Sequence, residues 1–323
     1  MAIRLSAFLG IASSLAGAGW ELRRRGHASG LLRRRRVAAR VVSIGNLTVG
    51  GTGKTTLALH LASRALASGW NVAVVCREYQ PGPGGRGDEA LLLEGDLGQG
   101  RVFAGRSKWQ LAERAARAGH DLVLVDDGFS HWPLERDLDL VLIDARDPWG
   151  GGALLPAGRL REPRRALQRA DVVVVSRVRD AAEASARIAE VRPYAPAARF
   201  AAGRHRVMAV RGAHGEILAR GAARVVTATG NPEAVAASAR EAGSAPVTLS
   251  AYRDHHWFRQ EEAHQELAAA AGGTLLLTAK DAVRWPIGRE GTAVLEVAWE
   301  WVIGGDLVES LALDREGARK ESG

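Results

Sequence analysis

Short runs of consecutive apolar residues recur along the chain and are separated by segments with helical periodicity. The runs are rich in valine, leucine and isoleucine and do not alternate with polar residues, which is typical of parallel strands covered on both faces of a sheet. The amphipathic segments at residues 54–67 and 109–118 are predicted to be helices that connect these strands. The predicted strands of this first half are residues 40–44, 71–76, 121–125, 138–143 and 171–176. We therefore predict a doubly wound parallel sheet of the α/β class.

The pattern changes near residues 203–220, where we place a domain boundary. A predicted strand at 206–210, a turn with two glycines and a second apolar pair are typical of a β-hairpin. A second α/β set follows, with strands predicted at 224–228, 247–249, 274–278 and 293–298 and helices at 232–242 and 261–271. We expect four regions: an N-terminal helix and basic segment at 1–40, a P-loop domain at 41–203, a hairpin linker at 204–222 and a smaller α/β domain at 223–323.

The first 40 residues combine an apolar segment with a cluster of arginines. Residues 5–20 carry no charge, but these 16 residues are fewer than the roughly 20 that a membrane-spanning helix needs. The chain holds 44 basic and 36 acidic residues, and the whole excess of +8 lies in residues 1–40, which contain nine arginines and one glutamate. This arrangement favours a helix at an anionic membrane surface, where each arginine contributes about 1 kcal/mol.

Two alternatives for the apolar segment stay open. One is a helix packed on the protein with its arginines in water, and the other is a secretory signal peptide, since Ala16-Gly17-Ala18 resembles a cleavage site. The arginines that follow oppose translocation. The single cysteine, Cys76, excludes an internal disulfide framework. We expect a cytosolic protein at the membrane surface.

A glycine-rich segment lies between the first predicted strand and helix, which is the setting of a phosphate-binding loop. Its candidate nucleotide-binding residues are Gly50, Gly51, Thr52, Gly53, Lys54, Thr55 and Thr56. Glycines let backbone N–H groups approach phosphates, and the helix N-terminus adds positive potential. We expect ATP here, with Lys54 at the β- and γ-phosphates and Thr55 at Mg²⁺. The first glycine of the common motif is Thr48 in this chain, and a glycine-rich turn before an ordinary helix is the alternative.

Two carboxylates, Asp126 and Asp127, follow the predicted strand at 121–125. An acidic residue at the end of a hydrophobic strand is the usual second half of a P-loop site, where it holds Mg²⁺ directly or through water. We expect one of the two to hold the metal, together with Thr55, and the other to orient the metal shell.

Several segments, in order along the chain, are similar to those of one known family. They are VVSIGNLTVGGTGKTTLALHLA, RGDEALLL, LVLVDDGFSHWPLERDLDLVLIDA, GGALLPAGRLREPRRALQRADVVVVSR, YRDHHWF and LLLTAKDAVRW. Together they resemble the tetraacyldisaccharide 4'-kinases of lipid A biosynthesis. The resemblance implies ATP- and Mg²⁺-dependent phosphorylation of the 4'-hydroxyl of a tetraacylated glucosamine disaccharide 1-phosphate. It also implies that the smaller domain closes over the active site, and that the protein lies on the cytoplasmic face of the inner membrane.

The same resemblance indicates which residues handle the proton of the acceptor hydroxyl. Asp88, which follows a glycine-rich loop at 82–87, is the candidate base. In the family the equivalent aspartate pairs with a histidine, and the matching segment here is Asp254-His255-His256. We assign the pairing to His255, and His256 stays open as its alternative. Without the resemblance, a solvated helix cap for Asp88 and a surface turn for the two histidines are the ordinary interpretations.

Four further residues are candidate substrate contacts. Arg159 and Arg161 carry guanidinium groups that can hold phosphate in a bidentate manner, on ATP or on the acceptor. Glu89 and His256 flank the candidate catalytic residues. The chain departs from the usual family pattern at Glu78, Ser130 and Ala279, where glycine, glutamine and glutamate are more common.

Two other functions are compatible with a P-loop. A switch or partitioning ATPase that acts through protein partners is the main alternative, but Val49 occupies the position of its signature lysine. A nucleic-acid-binding ATPase would interleave its arginines with stacking aromatic residues, and Trp20 is the one aromatic residue in positions 10–40. We therefore expect a lipid-linked acceptor and an anionic membrane surface as partners, with no nucleic acid and no obligate protein partner.

Overall fold

The protein is described here by a computed structural model that covers residues 2–78, 80–218, 221–270 and 272–315, with backbone alone for residues 2–8, 11 and 28. Parts of the predicted linker (219–220), of one predicted helix (271) and of the last predicted domain (316–323) lie outside the described residues. The chain divides into two compact units: unit 1 holds residues 1–77, 99–204 and 300–323, and unit 2 holds residues 78–98 and 205–299. The predicted boundaries at 203 and 222 stay a prediction.

Within the described residues the chain forms nine α-helices and eleven β-strands. The helices are α1 Ala2–Ala28, α2 Lys54–Ala67, α3 Asp88–Leu97, α4 Lys108–Arg117, α5 Ala181–Val191, α6 Pro232–Glu241, α7 Gln260–Ala269, α8 Ala279–Val283 and α9 Gly305–Ala312. The strands are β1 Arg40–Asn46, β2 Val72–Arg77, β3 Val102–Gly105, β4 Leu122–Asp126, β5 Leu138–Asp144, β6 Val172–Ser176, β7 Arg199–Gly212, β8 Ala223–Thr227, β9 Val247–Ala251, β10 Thr274–Thr278 and β11 Thr292–Ile303. Strands β7 and β11 have residues in both units.

Unit 1 is built on a parallel sheet with the strand order β3-β2-β4-β1-β5-β6-β7. Every residue of β1, β4 and β6 is buried, which requires cover on both faces of the sheet. The strands β2, β3 and β4 lie on one side of β1 in the sheet, and the strands β5, β6 and β7 lie on its other side. The carboxyl end of β1 is therefore at a topological switch point, where open α/β sheets bind ligands.

Unit 2 has its own parallel strands, in the order β11-β10-β8-β9. Its core packs apolar side chains of these strands against helix α7 and the aromatic residues Phe258 and Trp285. Helix α3, at residues 88–97, belongs to this unit although it lies in the first third of the sequence. The predicted α/β class with a mostly parallel sheet is confirmed.

The end of β1 is shaped by one close approach. A Cβ atom on Gly45 would lie 2.3 Å from Cβ of Phe129, a side chain that is fully buried in the core beside β1. A glycine at this position therefore lets the loop after β4 pack directly on the strand that leads into the phosphate-binding segment.

Helix α1 packs on unit 1 through polar contacts as well as apolar ones. The Trp20 indole N–H donates to Oε2 of buried Glu162 over 2.8 Å, and the Ser13 hydroxyl donates to the Leu154 carbonyl over 2.8 Å. Arg169 forms an ion pair with the same Glu162 carboxylate. Among the described residues, none of the helices combines the length and apolarity that crossing a bilayer requires.

The packing at Gly45 leads to a stability prediction. A Gly45→Ala substitution forces Phe129 to move, and overpacking of this kind costs about 1–3 kcal/mol. We expect a lower urea midpoint, measured by tryptophan fluorescence. The matched control is Gly19→Ala in α1, where an added Cβ meets nothing within 4 Å and alanine favours the helix. A Gly45→Ala midpoint equal to that of the wild type would contradict the packing argument.

Candidate functional site

The predicted site residues fall into two clusters, one in each unit. The cluster of unit 1 surrounds the loop between β1 and α2. Gly53 caps α2 with φ 95°, a left-handed conformation that glycine adopts without strain. Helix α2 begins at Lys54, whose Nζ donates to Oδ1 of Asn46 over 3.2 Å. The loop thus ends at a helix N-terminus, with the lysine ammonium held near its base, which is the geometry that binds phosphate groups.

Asp126 and Thr55 face each other beside this loop. The Thr55 hydroxyl donates to Oδ2 of Asp126 over 3.1 Å, and Asp126 is buried at the end of β4. Hydroxyl and carboxylate oxygens are hard donors of the kind that Mg²⁺ prefers, and Mg²⁺ commonly uses one or two protein oxygens beside phosphates and water. Among the described residues, no group of three His, Cys, Asp or Glu side chains is arranged to hold a metal. The donor set therefore fits Mg²⁺ that is shared with a nucleotide.

Asp127 is surrounded by positive charge. Arg161 contacts its carboxylate with both terminal nitrogens, at 2.7 and 2.6 Å, while Lys54 Nζ lies 3.8 Å and Lys108 Nζ 4.0 Å from it. Burial raises the pKa of Asp127, but the Arg161 hydrogen bonds and the lysine charges outweigh burial and leave the pKa below its usual value. Asp127 is therefore ionised at neutral pH, with both carboxylate oxygens occupied by Arg161.

The segment that carries Arg159 and Arg161 runs alongside the loop. Val49 N–H donates to the Arg159 carbonyl over 2.8 Å, and Arg161 N–H donates to the Leu47 carbonyl over 2.7 Å. The two arginine side chains differ in their contacts. Arg161 is tied to Asp127 and to Asn46, whereas Arg159 is exposed and donates to the Val49 carbonyl over 3.0 Å.

The cluster of unit 2 is centred on Asp88, the first residue of α3. This side chain is only 2% exposed, so the solvated helix cap considered above does not describe it. Its Oδ2 lies 2.9 Å from Nδ1 of His255, and its Oδ1 accepts the Glu89 backbone N–H over 2.8 Å. His256 points elsewhere: its Nε2 lies 2.8 Å from Glu262, and its ring stacks on Tyr252. Of the two histidines, His255 contacts Asp88 in this structure.

Two cations from α8 and the residue that follows it complete this cluster. Lys280 Nζ donates to Oε1 of Glu89 over 2.8 Å and lies 4.0 Å from Asp88. Arg284 Nη1 lies 3.0 Å from Oδ2 of Asp88. Burial raises the pKa of Asp88, but the hydrogen bond with His255 and the charges of Lys280 and Arg284 bring it below its usual value. Burial lowers the pKa of Lys280, and the charges of Glu89 and Asp88 more than restore it.

Two of the family departures have local effects. The Glu78 carboxylate accepts the backbone N–H of Gly87, the residue immediately before α3. It therefore lies at the N-terminus of the helix that begins with Asp88. Ser130 Oγ is buried without a hydrogen-bond partner among the described residues. The loop at 82–87 is held by the Trp257 indole, which donates to the Gln80 carbonyl over 3.1 Å.

Several residues in these clusters were not predicted from the sequence. Lys108 starts α4, a helix that was predicted, but nothing local indicates that its ammonium donates to the Asp127 carbonyl over 2.5 Å. Arg284 directly follows the short helix α8 and lies three residues after Asp281, and this spacing is the one available signal for their contact. Asn46 is the last residue of β1, and its side-chain Oδ1 accepts hydrogen bonds from both Lys54 and Arg161.

Comparison with known proteins identifies relatives along the whole chain. The family model for tetraacyldisaccharide-1-P 4'-kinase matches residues 5–312. A tetraacyldisaccharide 4'-kinase of Anaeromyxobacter sp. (strain Fw109-5) is 38% identical over 302 residues, which cover 85% of this chain and 81% of that protein. The enzyme of the same name from Halorhodospira halophila is 34% identical over 285 residues, which cover 84% and 81%.

A solved structure gives an independent comparison of the fold. The crystal structure of LpxK from Aquifex aeolicus in complex with ATP superposes with a TM-score of 0.72 and covers 95% of this chain and 98% of that one. The two sequences are 22% identical, so this likeness supports the fold alone.

The charges around Asp127 lead to a titration prediction for His131, which follows it on the same loop. Burial, then the charges of Lys108 and Arg136, lowers the pKa of His131 to about 4. Neutral His131 therefore contributes stability above its ordinary pKa, and this contribution is lost as the pH falls towards 4. NMR of ring-labelled histidine should give a midpoint near pH 4.

The origin of this shift can be tested with two variants on the same helix. Lys108→Met removes a nearby charge and should raise the His131 midpoint. Arg117→Gln, at the exposed end of α4, should leave it unchanged. A wild-type midpoint near 6.5, the ordinary pKa of histidine, would contradict the assigned environment.

Proposed function

Because this chain belongs to the tetraacyldisaccharide 4'-kinase family, we propose roles in phosphoryl transfer for the two clusters described above. The family reaction is ATP-dependent phosphorylation of the 4'-hydroxyl of a tetraacylated glucosamine disaccharide 1-phosphate in lipid A biosynthesis. The alternative of a switch or partitioning ATPase is not favoured. The observation that carries the assignment of roles is the buried contact between Asp88 and His255.

The loop of unit 1 binds the ATP phosphates. Backbone N–H groups of residues 50–53 and the N-terminus of α2 would bind the β- and γ-phosphates, and Lys54 would neutralise their charge. Arg159, which is exposed at the edge of this loop, would contact a phosphate oxygen. Arg161 has a different role, because its bidentate contact with Asp127 holds that carboxylate in place.

Thr55 and Asp126 would hold Mg²⁺, and the metal would neutralise charge on the β- and γ-phosphates. Their side-chain oxygens lie 3.1 Å apart, so both are available at one point beside the loop. Asp127, the other carboxylate that the sequence offers for the metal, is held by Arg161 and would support the metal shell through its charge. Its direct ligation stays a prediction.

Asp88 is the general base for the acceptor hydroxyl. The ionised carboxylate accepts Nδ1–H of His255, and this hydrogen bond orients the imidazole ring. As the sugar oxygen bonds to the γ-phosphorus, the bond from that phosphorus to the β–γ bridging oxygen breaks and ADP leaves. The hydroxyl proton passes to Asp88, and His255 orients and polarises the carboxylate that receives it.

The roles of Asp88 and Lys54 are tested by phosphate transfer from γ-labelled ATP to a tetraacyl disaccharide 1-phosphate in detergent micelles. We expect labelled lipid from the wild type and a loss of about 10² or more in kcat for both Asp88→Asn and Lys54→Met. Asp88→Asn should still bind an ATP analogue by calorimetry, because the loop of unit 1 is intact.

The matched control is Asp96→Asn, an exposed carboxylate on the same helix α3, which should retain the wild-type rate. Retention of full activity in Asp88→Asn would remove Asp88 from the mechanism. ATP binding without lipid labelling by the wild type would remove the acceptor and favour the switch ATPase.

We also propose that α1 and the arginines after it contact the anionic cytoplasmic surface of the inner membrane, as a peripheral or monotopic attachment. Leu15 and Leu22, two helical turns apart on α1, are 68% and 74% exposed, and Leu31 is 82% exposed. Two cavities of about 690 and 880 Å³ have arginines in their lining, among them Arg24, Arg34 and Arg165, and Leu31 lines the larger one. Exposed leucines beside arginines are typical of an interfacial helix.

This attachment predicts charge-dependent binding to vesicles. The double variant Arg23→Gln, Arg33→Gln should bind phosphatidylglycerol-containing vesicles about 30-fold more weakly in a sedimentation assay, since each arginine contributes about 1 kcal/mol. The control Arg117→Gln, Arg187→Gln removes the same charge from exposed helices elsewhere in unit 1 and should bind normally. Equal binding of both double variants, or equal binding to neutral vesicles, would refute the proposed surface.

A further inference from the structure

Arg284 is a charged side chain that the mechanism above does not use. It is 1% exposed, which makes it one of the most completely buried large side chains of the described residues. A guanidinium group is retained in such a position only where carboxylates and carbonyl oxygens compensate for its lost hydration. Its surroundings therefore indicate what it does.

Arg284 joins two buried carboxylates. Nη1 lies 3.0 Å from Oδ2 of Asp88, and Nη2 donates to Oδ1 of Asp281 over 2.5 Å. Asp281 is itself fixed, because its carboxylate accepts the Thr278 hydroxyl over 2.6 Å and the Ala228 N–H over 2.9 Å. Arg284 thus connects the carboxylate of Asp88 to a rigid point at the ends of β8 and β10.

The same network reaches His255 through the Ala228 carbonyl. This oxygen accepts Nη2 of Arg284 over 3.1 Å and the His255 backbone N–H over 3.0 Å. His255 has φ 61°, a left-handed conformation that costs a non-glycine residue about 1–3 kcal/mol unless its surroundings hold it. The contact with Ala228 is one that holds it, and Asp281 in turn binds the N–H of Ala228.

We propose that Arg284 is a positioning residue that holds both members of the Asp88–His255 pair in register through one guanidinium group. One terminal nitrogen approaches the carboxylate of Asp88, and the other shares the Ala228 carbonyl with the backbone of His255. Lysine in its place would keep the charge but could not reach Asp88, Asp281 and the Ala228 carbonyl together, since an ammonium group lacks the planar fork. The inference rests on the proposed function of Asp88.

The charge of Arg284 also affects the pH at which Asp88 works. The groups that face Asp88 are Arg284, Lys280, His255, Glu89 and, behind Arg284, Asp281. Loss of the arginine removes a nearby positive charge and leaves Asp281 close to Asp88 without its shared cation. Both changes favour protonation of Asp88, so the acid limb of activity should move to higher pH.

The test compares Arg284→Gln and Arg284→Lys with the wild type in the labelled-lipid assay, normalised to folded protein. For Arg284→Gln we expect kcat to fall by about tenfold to a hundredfold, KM for ATP to stay constant, and the acid limb of kcat to rise by about one pH unit or more. Arg284→Lys should restore the pH profile more fully than the rate. Arg289→Gln, an exposed arginine five residues further on, is the control.

A purely structural role for Arg284 gives a different result. A lowered thermal midpoint with unchanged kcat and pH profile per folded molecule would overturn the proposal, as would an altered KM for ATP alone. If Arg284→Gln does not fold, Asp281→Asn weakens the anchor and keeps the arginine, and it must then lower kcat and change the pH profile for the proposal to hold. A wild type that labels no lipid would refute the function of Asp88 itself, which is a separate outcome.

Discussion

Removing a charged side chain from water is costly unless opposite charges or hydrogen bonds lie close by, and this constraint organises both clusters. Asp127 is partly buried among Arg161, Lys54 and Lys108, and Asp88 is buried against His255 and Arg284. In each case the cations come from segments far away in the sequence. Each cluster of charges forms only when those segments pack together. The pKa shifts within a cluster therefore arise only when its unit folds.

The charges also determine when a proton can move. A carboxylate whose pKa is held low by neighbouring cations takes up a proton poorly from an ordinary sugar hydroxyl. The hydroxyl becomes acidic only as its oxygen bonds to phosphorus, so a base with the surroundings of Asp88 would accept the proton late, in the transition state. The role proposed for Asp88 thus agrees with phosphoryl transfer and not with proton exchange with the free acceptor.

The features that could be predicted from the sequence are those encoded in one continuous segment. The loop before α2 and the carboxylates after β4 are contiguous, and residues 54–67 and 274–278 were predicted with the observed ends. Helix α3 was not predicted, because Gly95 and several charges interrupt its periodicity, and strand β3 has only four residues, Val102–Gly105. The choice between His255 and His256 depends on a left-handed backbone at the first histidine, and the Arg284 contacts depend on packing of distant segments. Neither has a local signal.

The contact between Trp20 and Glu162 has a practical consequence for handling the enzyme. Glu162 is buried directly after Arg161, so helix α1 and the segment that carries Arg161 meet at one carboxylate. Shortening the chain to remove α1 would leave Arg169 as the partner of that carboxylate and would open the packing around Trp132. A more soluble variant is better sought by replacing the exposed leucines of α1 with polar residues, which leaves the indole donor in place.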